Sequence, residues 1–132
     1  MSSIRVDGVA YRVRIVYNSM TRAFELKEGQ NAGDMISYRR ERDLIGTSYT
    51  YELQVEPDPA RPADYDRLYE VLSQPVDSHE VTLPYGQETI TFQAQITSGT
   101  DRFGGKLAGV NRWHGLRIQY EPLKPQKLAA QD

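Results

Sequence analysis

The chain has 132 residues, 39% hydrophobic and 26% charged, with a formal net charge of -2. That is long enough for one domain with a core of its own, and the composition is that of a globular protein. No cysteine is present, which excludes disulfides, thiolate zinc sites and cysteine nucleophiles. The mixed acidic and basic residues argue against sequence-specific nucleic-acid binding, which needs a basic field.

No apolar run approaches the length of a membrane-spanning helix, so no membrane partner is expected. The start, Met1-Ser-Ser-Ile-Arg-Val-Asp7, has no apolar stretch of signal-peptide length, and synthesis in the cytoplasm is the expectation. Nine tyrosines stand against three phenylalanines and one tryptophan. Tyrosine favours strands and is also enriched at subunit interfaces.

In chain order, Asp7-Gly8 predicts a tight hairpin turn, because both positions tolerate positive φ. After it, Val9, Tyr11, Val13, Ile15 and Tyr17 share one face of a strand, with Arg12 and Arg14 opposite. Asn18-Ser19 predicts a bend, and Thr21–Lys27 a further strand with Phe24 and Leu26 better placed for burial than Ala23. Glu28–Gly46 contains Gly29, Asn31, Gly33 and Asp34 and a charge run, Arg39-Arg-Glu-Arg42. It reads as a long loop, and long loops in compact domains are usually functional or disordered.

Thr47–Glu56 alternates strictly: Tyr49, Tyr51, Leu53 and Val55 fall on one face, Ser48, Thr50, Glu52, Gln54 and Glu56 on the other. This is the period of a half-buried strand. Pro57-Asp-Pro-Ala-Arg-Pro62 ends it. Tyr65, Leu68, Tyr69 and Leu72 then recur at helical spacing, predicting one helix over about 62–74, with Asp64 and Asp66 in its favourable first turn and Pro75 as its stop. Val81–Pro84 and Glu88–Ile96 form a hairpin around Tyr85-Gly86-Gln87, with Ile90, Phe92, Ala94 and Ile96 inward. Thr97–Arg112 reads as a second glycine-rich loop, and Trp113–Tyr120 as the last strand, with Leu116, Ile118 and Tyr120 inward. Pro122 and Pro125 precede a flexible tail over 126–132. The expected architecture is mainly β: an antiparallel sandwich or barrel with a single flanking helix, as one domain over 1–125.

Chemistry is sparse. His79 and His114 have no acid or histidine at metal-ligand spacing, and both are expected in ordinary surface or turn positions. Asp66 and Glu70 share a helix face that reads as solvated, with Arg67 between them. Gly104-Gly105-Lys106 lacks the Ser or Thr and the following helix of a phosphate loop. Glu41 and Asp43 dilute Arg39, Arg40 and Arg42. No serine lies in a nucleophile-elbow context. No catalytic residue, cofactor or metal is therefore expected, and an enzyme is poorly supported.

The helix and hairpin of Ala63–Gly86, together with Arg112-Trp-His-Gly-Leu-Arg-Ile-Gln-Tyr-Glu-Pro122, resemble small structural proteins of bacteriophage and prophage tail modules. The resemblance covers most of the chain loosely and is one of element pattern, without a catalytic signature. It implies a tail-tube-like fold and a non-enzymatic subunit of a tail tube, distal tail, baseplate or tail-completion complex. Its partners would be itself, as a homo-oligomeric ring, and other tail proteins, and its final location the virion tail. On that reading the two irregular segments reach for neighbours, with Met35, Ile36, Tyr38, Phe103 and Leu107 as the expected subunit contacts. The competing expectation is a stand-alone β-sandwich module that binds carbohydrate or protein as a monomer.

Overall fold

The computed structural model describes residues 3–28 and 44–128. Strands β1 (Ser3–Val6), β2 (Val9–Ile15), β3 (Thr21–Glu28) and β4 (Leu44–Pro57) precede a single helix, α1 (Pro62–Leu72). Strands β5 (His79–Tyr85), β6 (Glu88–Gln95), β7 (Gly99–Leu107), β8 (Val110–Pro122) and β9 (Lys127–Leu128) follow it. Every pairing is antiparallel. The neighbours β2, β1, β5, β6, β8 and β4 close on one another, because β4 pairs with both β2 and β8. The mainly β architecture with one helix is thus realised as a closed barrel, which leaves its six ring strands without open edges in the belt.

The alternation read from the sequence becomes the barrel interior. Ile4, Val6, Tyr11 and Val13 from the first hairpin meet Tyr51, Leu53 and Val55 from β4, Val81, Leu83, Phe92 and Ala94 from the second hairpin, and Leu116, Ile118 and Tyr120 from β8. Tyr65, Leu68 and Leu72 of α1 join that core. Burying such a side chain contributes about 1.5–3 kcal/mol, and an isolated helix of this length would not persist in water. The first turn forms as expected: Val6 pairs with Val9, and Asp7 and Gly8 have φ of 52° and 83°.

The inward face predicted for β2 is shorter than the alternation suggests. Val9 is exposed, and Tyr17, 89% exposed, sits in a bulge between β2 and β3. There Val16 N–H donates to the Gln54 carbonyl at 2.8 Å, and Ser19 Oγ clamps Gln54 through both of its backbone groups. Strand β3 then continues along the same edge of β4, with Thr21 opposite Glu52. All of β3 is exposed, including Phe24 and Leu26, because here β4 has run past the end of the barrel.

The second expected loop needs correction. Thr97–Arg112 is not a loop: β7 and β8 form a hairpin across it, turning at Ala108 and Gly109 with φ of 52° and 80°. The glycines interrupt its alternation by register shifts after Thr100 and Phe103 instead of breaking the strand. Of the tail expected over 126–132, residues 126–128 are described, and they lie against β4. Gln126 bonds both backbone groups of Tyr49 at 2.9 Å, in the manner of a paired strand, and Lys127 and Leu128 pair with Thr47 and Gly46. The helix ends at Leu72, two residues before the expected 74.

Candidate functional site

The register places the two overhangs of the barrel at opposite ends. β8 pairs with β4 from Leu116 to Tyr120, so its earlier residues, Val110 to Gly115, have only β7 beside them. At the other end, Leu44 to Thr50 of β4 are flanked only by β3 and β9. Two ribbons therefore project in opposite directions, one from each end.

The β7–β8 arm carries both described members of the expected contact set. Phe103 is 51% exposed and Leu107 60% exposed, beside Val110 and Trp113 at 59% and 43%. Phe103 packs on Trp113 with ring centroids 4.9 Å apart. Met35, Ile36 and Tyr38, like Arg39, Arg40 and Arg42, lie outside the described residues. An apolar cluster of this kind on an exposed ribbon is the usual mark of a surface that another molecule covers.

Between this arm and α1 runs a groove. Toward the helix start it opens to about 1040 Å³, bounded by Pro57, Pro62, Tyr65, Leu107, Val110 and Trp113 among others. It narrows along the helix to a pocket of about 250 Å³ lined by Tyr65, Asp66, Tyr69, Glu70, Asp101 and Trp113. Tyr65 Oη donates to Asp101 Oδ2 at 3.0 Å, and burial followed by the Asp101 carboxylate pushes the phenol pKa far above its ordinary range. The phenol therefore stays protonated and acts as a fixed donor.

The β3–β4 arm carries a second aromatic group. Tyr49 and Tyr85 meet edge to face at 5.3 Å, and Tyr85 Oη donates to Tyr49 Oη at 3.2 Å. Arg22 lies over the Tyr85 ring at 5.3 Å and Lys127 over Tyr49 at 6.0 Å. The hydrogen bond from Tyr85, helped by Lys127 and Arg22, holds the Tyr49 hydroxyl pKa below its ordinary value.

The remaining candidates separate cleanly. His79 is not at the surface: it is 3% exposed, with Nδ1 2.6 Å from Asp7 Oδ2. His114 lies 3.7 Å from Glu56 on the projecting arm. Asp66 and Glu70 face the groove from an exposed helix surface. Gly104-Gly105-Lys106 lies within β7, with no helix N-terminus after it. Among the described residues no group of histidines and acids could hold a metal ion, and no helix is long and apolar enough to cross a membrane. Trp113 and Asp101 were missed as site residues, since their roles depend on β7 and β8 pairing through a bulge. The signal that could have found them is the Ala108-Gly109 turn flanked by Leu107 and Val110. No protein-family model matches the chain, and no curated protein matches it in sequence.

Proposed function

We propose that this chain is a non-enzymatic structural subunit of a phage tail or a phage-derived particle, working by ring-type self-assembly. One observation carries the reading: the barrel hides its own core, yet it sends apolar ribbons out of opposite ends. A contact from one end of a subunit to the other end of the next is heterologous, and such contacts build rings or filaments. The resemblance of the helix, hairpin and final strand to tail-module proteins supplies the particle. The tail component, as tube, distal-tail, baseplate or completion protein, follows from its neighbours in the particle. Concentration-dependent sedimentation with negative-stain microscopy tests the proposal: rings or short tubes support it, and a monomer at all concentrations overturns it.

The aromatic groove supports a second reading, a monomeric module for a carbohydrate or protein ligand. It requires a monomer whose Trp113 stays open for that ligand, so the same experiment separates the two.

A further inference from the structure

The pocket beside α1 has a one-sided chemistry. Its six lining residues are three carboxylates, Asp66, Glu70 and Asp101, and three aromatics, Tyr65, Tyr69 and Trp113. Among the described residues none of these carboxylates forms an ion pair. The nearby Arg61 and Arg67 are directed to Asp64 instead, at 3.9 and 3.7 Å. Three like charges around one concavity repel one another, and aromatic faces attract cations. The complementary occupant is a cationic side chain beside an apolar or aromatic neighbour. Arginine is favoured over lysine, because its flat guanidinium stacks on rings and pairs with carboxylates through two parallel bonds.

The chain holds such a sequence in Met35-Ile-Ser-Tyr-Arg-Arg40. It cannot reach the pocket of its own subunit. Leu116 of β8 is opposite Val55 of β4, so Trp113 stands about one residue beyond Pro57. From there back to Leu44 is about 45 Å along the strand. Arg39 is joined to Leu44 by five residues, which span at most about 18 Å.

We propose that this acidic aromatic pocket receives the Tyr38-Arg39-Arg40 segment of a second copy of the chain, which makes the subunit contact head-to-tail. The proposal rests on the self-assembly reading and names the docking site within it. Asp101, already engaged by Tyr65, sets the floor. Asp66 and Glu70 on the exposed helix face supply the charge that selects the occupant.

The test is a charge exchange. Asp66→Lys with Glu70→Lys reverses the pocket, and Arg39→Glu with Arg40→Glu reverses the segment. Each pair alone is expected to weaken self-association at least tenfold in sedimentation velocity, and the chain carrying all four changes is expected to regain most of it. Circular dichroism checks that every variant is folded. Unchanged association in either pair, or losses that add without recovery, overturn the proposal while leaving self-assembly by another contact standing. A synthetic peptide of residues 35–42 gives a second readout that needs no assembly. It is expected to change the fluorescence of Trp113, the only tryptophan, in the wild type at low salt and not in the Asp66→Lys, Glu70→Lys variant. If the wild type stays monomeric, the self-assembly reading fails and the head-to-tail contact with it, whatever the peptide does; in an associating wild type the peptide tests the pocket alone. No response, or an equal response to a scrambled peptide, overturns it.

Discussion

Asp64 Oδ2 accepts the backbone N–H of Arg12 at 2.9 Å, a hydrogen bond that ties the first turn of α1 to a barrel strand across 52 residues of chain. Asp64 is 5% exposed. Its neighbours complete the anchor: Arg12 Nε donates to Asp58 at 3.1 Å, and Arg61 and Arg67 flank the carboxylate. Position in the first helical turn explains an acid here only through the helix dipole, worth a few tenths to 1 kcal/mol. The observed contact is stronger, because it satisfies a strand N–H beneath the helix.

Removing that acceptor should therefore cost more than a surface charge would. Asp64→Ala leaves the Arg12 N–H without its partner, for an expected loss of about 1–3 kcal/mol. Asp64→Asn keeps an oxygen acceptor and should lose less. Urea unfolding of the two variants checks the order. Equal losses would show that only the charge matters.

The Asp7–His79 pair makes stability depend on acid. The hydrogen bond from His79, with the Glu80 backbone N–H also donating, outweighs partial burial and holds the Asp7 carboxyl below its ordinary pKa of 3.8. A depressed carboxyl pKa contributes stability above the ordinary value and loses it as pH falls through the folded one. The window therefore opens at about pH 4 and extends below it. Asp7→Asn tolerates the positive φ of this turn and removes the charge. The melting temperature of the wild type should exceed that of Asp7→Asn at pH 6, with the gap closing toward pH 3. A gap that is constant over that range would refute the assignment.

Periodicity reads what neighbours along the chain decide. The alternation of Tyr51, Leu53 and Val55, the helical spacing of Tyr65, Leu68 and Leu72, and the Asp7-Gly8 turn are found where expected, whereas Tyr69, the fourth residue of the expected helix face, is 40% exposed beside the groove. What escapes it is set by distant partners. His79 is a surface residue by local context and a buried one by virtue of Asp7, 72 positions away. Phe103 was legible as an exposed apolar residue, but its pairing with Trp113 passes through a register shift that hides the strand. Tyr65 was legible as core, but its bond to Asp101 needs the hairpin that glycines disguise.

Gly46 tests the C-terminal strand. A Cβ built there would lie 2.4 Å from the Lys127 carbonyl oxygen and 2.7 Å from Pro125 Cβ, so β9 can pack only against a glycine. Gly46→Ala should either expel Lys127–Leu128 from β4 or destabilise the protein by about 1–3 kcal/mol. In a chain ending at Lys124 the same substitution meets neither group and should cost almost nothing. Thermal melts of the four proteins form a double-mutant cycle. The same loss in both backgrounds would place the defect elsewhere.

Two buried tyrosines should respond oppositely to losing a hydroxyl. Tyr120 is fully buried, its Oη has no hydrogen-bond partner among the described residues, and burial raises its pKa. An unpaired buried hydroxyl costs about 1–3 kcal/mol, so Tyr120→Phe should leave stability unchanged or raise it by about 1 kcal/mol. Tyr65 is just as buried but donates to Asp101. Tyr65→Phe should lose about 1.5–3 kcal/mol, the range for a hydrogen bond to a charged acceptor. It also frees the Asp101 carboxylate at the floor of the pocket, so the fluorescence of Trp113 should shift in Tyr65→Phe and not in Tyr120→Phe. Guanidinium unfolding monitored by circular dichroism and by Trp113 gives both quantities from one experiment. A loss of stability in Tyr120→Phe would mean that its hydroxyl has a partner after all.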